Sequence, residues 1–169
     1  HGFPMYGVSI GYERHGVLEG GVIYHPPLDE LWSARRSRGA FRNRQRLKVS
    51  QTASLDRALL CTGFPYAMKP KIKNLRYFGA FLRRTRAIRR IGSASLDLCY
   101  TAAGVYDGFW ESNLGPWDIA AGLILCEEAG AKISNYSGKP VDLSVGEVVA
   151  TNVHLQRQML AVLRRARLY

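Results

Sequence analysis

The alternation of apolar and polar positions changes rhythm near residue 55. From Met5 to Glu13 the two kinds alternate, which predicts a strand, and Val17 to Tyr24 repeats the pattern after a His15-Gly16 turn. The pair reads as a hairpin. Pro26-Pro27 stops the second strand, because proline brings no donor to a ladder. Leu28 to Ala34 is expected as a third short strand, Arg38 to Phe41 as a turn, and Leu47 to Ser50 as a short extended piece. This first third is antiparallel β in character.

Beyond residue 55 the pattern is mixed. Ala58 to Thr62 is a continuous apolar run, as in a strand covered on both faces, and Gly63-Phe64-Pro65 ends it. Lys71 to Arg84 has helical spacing, with Ile72, Leu75, Phe78 and Leu82 on one side. Ala87-Ile88 is a short strand. Ser93 to Ala103 is helical and Gly104 caps it. Val105 to Trp110 is strand-like. Pro116 opens a helix that runs to Ala129 with Gly130 behind it, so proline stands inside the start and glycine past the end. Lys132 to Ser134 and Glu147 to Ala150 are strands, and Val153 to Leu168 is a terminal helix. Strands alternating with helices imply a layered α/β domain. The expected organisation is residues 1–55 as the remainder of an N-terminal antiparallel α+β domain and residues 56–169 as a C-terminal α/β domain.

Composition narrows the class. The chain has 169 residues, of which 47% are hydrophobic, enough to bury a sizeable core. No apolar run approaches the ~18 residues of a membrane helix, so no membrane partner is expected. Cys61, Cys99 and Cys126 stand far apart in apolar stretches without metal-binding spacing. A reducing compartment, the cytoplasm, is the expected location. The formal net charge is +11, much of it in Arg35 to Lys48, Arg83 to Arg90 and Arg157 to Arg167. Such a surface draws anions, or is a solvated basic face with no partner. No nucleic-acid-binding module is legible.

Two acidic residues and one loop carry candidate chemistry. Glu111 ends a strand, and Asp118 lies in the first turn of the helix that Pro116 opens. Strand ends and helix starts on one edge of an α/β layer are where ligands bind. A carboxylate there suits Mg²⁺, which takes one or two carboxylates plus substrate phosphate. A first-turn carboxylate is also favoured by the helix dipole by about 0.3–1 kcal/mol with no metal at all. Gly92-Ser93-Ala94-Ser95 leads into a helix whose free N–H groups suit phosphate or hydroxyl oxygens, or Ser93 is simply its N-cap. The residues alone leave these readings open.

Gly115-Pro116-Trp117-Asp118-Ile119-Ala120-Ala121-Gly122, followed by Glu128-Ala129-Gly130-Ala131, resembles the C-terminal signature of the inositol monophosphatase family. Gly92-Ser93-Ala94-Ser95-Leu96-Asp97-Leu98-Cys99 resembles the family's pocket helix start. Asp107-Gly108-Phe109-Trp110-Glu111 resembles the strand before the signature. Gly21 to Pro26, Asp29 to Trp32 and Gly39 to Asn43 resemble its central hairpin region. The likeness covers nearly the whole chain, in order. Ser95 and Ala131 depart from it, where alanine and a second glycine are usual.

The resemblance implies an αβαβα sugar-phosphatase-type fold, incomplete at the N-terminus. It implies Mg²⁺-dependent hydrolysis of a small phosphorylated polyol or sugar, with inositol monophosphate as the default substrate. It makes Asp118 the catalytic metal ligand that also touches substrate. Glu111 becomes the acceptor for substrate hydroxyls, and Gly92, Ser93 and Ala94 line the pocket. Fructose-1,6-bisphosphate and histidinol phosphate are the alternative substrates, and a non-catalytic RNA- or protein-binding regulator is the alternative role. A homodimer is the family's usual assembly; nucleic acid is not an expected partner. The family's glutamate pair and Asp-Pro-x-Asp-Gly-Thr loop precede the stretch matched by His1, so the 169-residue chain alone is expected not to turn over substrate.

Overall fold

The computed structural model describes residues 1–167, which form two five-stranded sheets and four α-helices. The first sheet is an antiparallel meander in chain order: β1 (Val8–Arg14), β2 (Val17–His25), β3 (Glu30–Arg35), β4 (Gly39–Arg42) and β5 (Gln45–Arg46). The second holds β6 (Leu59–Thr62), β7 (Ala87–Arg89), β8 (Gly108–Glu111), β9 (Lys132–Ser134) and β10 (Val148–Thr151), ordered β7-β6-β8-β10-β9. β6 is parallel to β7 and β8, whereas β10 is antiparallel to β8 and β9. The helices are α1 (Met68–Leu82), α2 (Ala94–Ala102), α3 (Pro116–Glu128) and α4 (Gln156–Arg167).

Alternation along the central strands sorts the core into two layers. Cys61, Phe109, Val148 and Ala150 face α2 and α3, which also receive Ile23 and Trp32 from the first sheet. Leu60, Trp110 and Val149 face α1 and α4 with Tyr77, Phe81, Leu155 and Met159. The order is therefore sheet, helix pair, sheet, helix pair, an α/β layering of the expected class. β6 is buried on both faces, as its unbroken apolar run predicts. The Phe81 and Trp110 rings lie 4.2 Å apart between α1 and β8. Full burial of side chains of this kind stabilises by about 1.5–3 kcal/mol each. Among the described residues, no helix is long and apolar enough to cross a membrane.

Several sequence expectations are corrected. β1 begins at Val8, not Met5, and β3 at Glu30, because Pro26–Leu28 forms a single 3-10 turn. Residues 39–42 are a strand, with the turn just before them at 36–38, where Ser37 has φ 61°. The Glu128 carboxylate accepts the N–H groups of Ser37 and Gly39, each at 2.7 Å, and holds that turn from α3. Leu47 to Ser50 is outside the sheet: its neighbour Gln45–Arg46 pairs instead. β8 starts at Gly108 and β10 at Val148. The terminal helix starts at Gln156; Leu168, included in the expected helix, lies outside the described residues. The apolar side expected for α1 is the wrong one. Ile72, Leu75 and Leu82 are exposed, and Asn74, Tyr77, Ala80 and Phe81 are buried. The aromatic face wins because it fills the space over Trp110, and only partly buried Phe78 belongs to the expected stripe.

The first sheet touches α3 through paired glycines. Gly11 and Gly21 are register partners in β1 and β2. A Cβ at Gly21 would lie 2.7 Å from Ala121 Cα and 2.9 Å from its carbonyl oxygen, and a Cβ at Gly11 would lie 2.6 Å from Ala120 Cβ. Backbone, unlike a flexible side chain, has no rotamer by which to yield. Gly21→Ala is therefore expected to destabilise the chain by about 1–3 kcal/mol, the usual cost of overpacking. A lowered urea midpoint at unchanged m-value is the expected reading.

Candidate active site

The three parallel strands end on one edge of the second sheet. Gly63 follows β6, Arg90 to Gly92 follow β7, and Glu111 closes β8. α2 and α3 both start at this edge. It opens into a cleft of about 610 Å³ lined by Gly63, Gly92, Ser93, Asp97, Glu111 and Asp118, among others. Outside the carboxyl ends of parallel strands is where an α/β sheet presents helix starts and loops to a ligand.

Asp118 stands half-buried at the third position of α3. Its Oδ2 accepts the Gly115 N–H at 2.8 Å, and its own N–H donates to Gly115 O at 3.0 Å. Helix capping is thus a real job of this residue. Trp117 beside it is 73% exposed at the cleft rim.

Glu111 is buried at the inner end of the cleft. Burial first, and the negative charge of Asp118 second, push its carboxyl up to about 7; Arg90 and the Gly63 N–H, which it accepts, pull the other way. A Cβ on Gly63 would overlap the Glu111 carboxylate where it now lies, so a larger residue there requires that side chain to move. Gly63 is in turn held by Asn74 of α1, whose Nδ2 donates to the Gly63 carbonyl.

Gly92 has φ 87° and turns the chain into α2. Ser93 occupies the N-cap position without making a side-chain cap; its Oγ meets Ser95 Oγ at 3.1 Å instead. Of the two readings left open for this segment, the serine side-chain cap is not made. One turn on, Asp97 is 1% exposed, and neither of its carboxylate oxygens has a hydrogen-bond partner among the described residues. Burial first, and the negative charge of Glu111 second, push its carboxyl up to about 8, against a weak pull from the Cys61 thiol. Arg90 partly offsets this, and its guanidinium lies 5.5 Å from the Phe64 ring centroid at the same rim.

The structure thus brings Glu111, Asp118 and the Gly92–Ala94 segment to one cleft. Gly63, Asn74, Arg90 and Asp97 belong there too, and the sequence reading did not single them out. Two of them left a trace. Asp97 interrupts the apolar run Leu96–Cys99, and Gly63 sits where a strand meets the expected edge. A larger groove of about 1070 Å³ lies elsewhere, between the β1–β2 turn and residues 138–144. Its lining includes Val17, Leu18, Leu123, Val141 and Leu143 and none of these residues.

Among the described residues, no three His, Cys, Asp or Glu side chains group closely enough to enclose a metal ion. Asp118 fits one wall of a magnesium site. With one oxygen committed to Gly115, it has one left for a hard cation, which commonly takes only one or two carboxylates.

The model of the inositol monophosphatase family matches residues 1–168. The chain belongs to this family. It is 43% identical over 169 residues to a Mesorhizobium japonicum protein named inositol-1-monophosphatase, covering 98% of this chain and 62% of that one. It is 41% identical over 164 residues to a Neisseria meningitidis protein named putative Nus factor SuhB, covering 96% and 63%. Among solved structures, the extragenic suppressor protein suhB of Bartonella henselae superposes with a TM-score of 0.91 at 37% identity, covering 96% of this chain and 63% of that one. The inositol monophosphatase of Anabaena gives 0.90 at 40%, covering 96% and 65%. The chain therefore spans less than two thirds of the length of these family members.

The fit between Gly63 and Glu111 is directly testable. In Gly63→Ala the carboxylate must leave its buried position. Burial is the main cause of its raised proton affinity, so its midpoint is expected to fall from about 7 toward the ordinary 4.5. A ¹³C-carboxyl titration of Glu111 in both proteins reads this.

Proposed function

We propose that this chain supplies the substrate-recognising side of a Mg²⁺-dependent phosphatase for the monophosphate of inositol or a related small polyol. Family membership makes it phosphatase-like. The observation that carries the finer reading is the meeting of a buried, donor-poor carboxylate, Glu111, with a half-exposed one, Asp118, across a single cleft.

Each residue has a task its surroundings suit. Asp118, held by the Gly115 N–H, would ligate a cation through its remaining oxygen. A magnesium ion held there would supply charge neutralisation at the phosphoryl and leaving oxygens. Glu111 accepts hydrogen bonds from substrate hydroxyls. A monoester presents these at the end away from its phosphate. The backbone at Gly92, Ser93 and Ala94 offers the N–H groups of a helix start to hydroxyl or phosphate oxygens. Trp117 and Phe64 stand at the rim as apolar surfaces beside the ligand's path. With a single Asp118 oxygen free for an ion, these 169 residues by themselves are proposed to bind substrate without turnover. A homodimer and a cytoplasmic setting go with this proposal. Three buried, free cysteines suit the latter.

A second reading has its own observation. α1 and α4 lie side by side in the outer layer, neither contains an acidic residue, and Arg83, Arg84, Arg86, Arg157, Arg164 and Arg165 are exposed on or just after them. Relatives named Nus factor SuhB make an anionic polymer a candidate partner for that layer.

Asp118→Asn separates the two. In protein that shows the activity it is expected to lower kcat/KM for inositol monophosphate by on the order of a hundredfold or more, the loss of several kcal/mol of charge stabilisation. The melting temperature should hardly move, because asparagine still accepts the Gly115 N–H. Near-normal turnover would overturn the assignment of Asp118. RNA binding that is steeply salt-dependent and indifferent to Asp118→Asn would favour the second reading.

A further inference from the structure

Asp97 is the least expected group in the cleft wall. A carboxylate normally collects donors, and this one has at most a thiol: both oxygens are fully buried and meet no N–H or hydroxyl donor among the described residues, with only the weakly donating Cys61 thiol beside them. Its helix offers no explanation. The Asp97 N–H and carbonyl are used within α2 and its cap, by Ser93 O and Thr101 Oγ1. The charged and titratable groups that face the side chain are Glu111 at the end of β8, Arg90 after β7, Cys61 in β6 and Tyr106 before β8. Cys61 is a weak donor and points at the Asp97 backbone carbonyl, 3.9 Å away. A single guanidinium therefore serves two acids in one dry wall.

We propose that Asp97 is a positioning residue that, as an uncharged acid, lets Glu111 remain ionised and turned into the cleft. The argument rests on Glu111 being the acceptor for a substrate hydroxyl. If Asp97 carried a charge, two like charges would share a low-dielectric wall with Arg90 as their one cation. Glu111 would then swing to solvent or take up a proton. Either outcome removes an ionised acceptor held at the Gly63 N–H. Uncharged Asp97 avoids both, and its lack of donors is what keeps it uncharged. The ionised Glu111 in turn holds the proton on Asp97, so the pair shares one negative charge. The cleft end that meets the polyol is then matched to neutral hydroxyls, with Arg90 balancing the remaining charge.

The sign of the pH dependence follows. Asp97 loses its proton near pH 8. Above that, the fraction of protein with Asp97 uncharged and Glu111 ionised falls, and the apparent KM rises in inverse proportion, about fivefold from pH 7 to pH 9 once the ionisation of Glu111 near 7 is counted. Asp97→Asn mimics the uncharged acid and removes this rise.

The experiment has two arms. In the 169-residue chain, the Asp97 carboxyl is followed by ¹³C chemical shift against pH, with and without Glu111→Gln. The expected result is a midpoint near 8 that drops when Glu111 is neutralised. A midpoint in the ordinary range near 4, or one indifferent to Glu111→Gln, overturns the proposal. In protein that shows the activity, KM and kcat for inositol monophosphate are measured from pH 7 to 9. KM is expected to climb in the unmodified protein and to fall about twofold in Asp97→Asn as Glu111 completes its ionisation, with kcat following the same pH course in both. Parallel KM curves overturn the positioning role even if the titration succeeds. Absence of phosphatase activity at every pH would defeat the functional reading alone, and the titration would still decide whether Asp97 is held uncharged by Glu111.

Discussion

The close approach of α3 to its neighbours sets the geometry of everything else. On one side Gly11 and Gly21 let the first sheet rest on Ala120 and Ala121 with no side chain between. On the other, Gly122 lets α2 come in, with Leu98 where a Cβ would go. A helix fixed on both flanks cannot slide, so its first turn arrives at the cleft in one place. The run Asp118-Ile119-Ala120-Ala121-Gly122 thus joins chemistry to packing. Its acid faces the ligand while the small residues behind it set how near the sheets can lie.

The second constraint is electrostatic. Asp97, Glu111 and Asp118 line one cleft beside Arg90. Two of the acids are buried, and such groups keep their protons unless donors or cations repay the lost water. Glu111 has the Gly63 N–H, and Asp97 has none. The difference separates their roles: the acid with a donor can serve as an acceptor in the cleft, and the acid without one stays silent beneath it. Gly63 gives Glu111 room, and Asn74 holds Gly63 from α1. The helix most remote in sequence from the family signature therefore reaches the same carboxylate.

The layered α/β class was legible because its markers are local. A doubly buried strand gives an unbroken apolar run, as in β6, and Pro116 and Gly130 mark the ends of α3 through backbone chemistry alone. α1 was misread because two apolar stripes compete on it. Periodicity alone did not show that Tyr77 and Phe81, and not Ile72 and Leu75, meet Trp110. The turn before β4 was misplaced for a related reason: its backbone donors are satisfied by Glu128, about ninety residues away. Glu111 and Asp118 were found as acids at a strand end and a helix start. Asp97 and Gly63 were not, because what distinguishes them is missing donors and missing space, and both are properties of the folded surroundings.

The central claim is that this one edge of the second sheet is where the polyol phosphate binds. Amide chemical-shift mapping of the 169-residue chain with Mg²⁺ and inositol monophosphate at millimolar concentration tests it most directly. The account predicts shifts at Gly63, at Ser93 to Asp97, at Glu111 and at Gly115 to Asp118, with the groove around Leu18, Leu123 and Val141 undisturbed. Shifts centred on that groove, with the strand-end cleft silent, would contradict it.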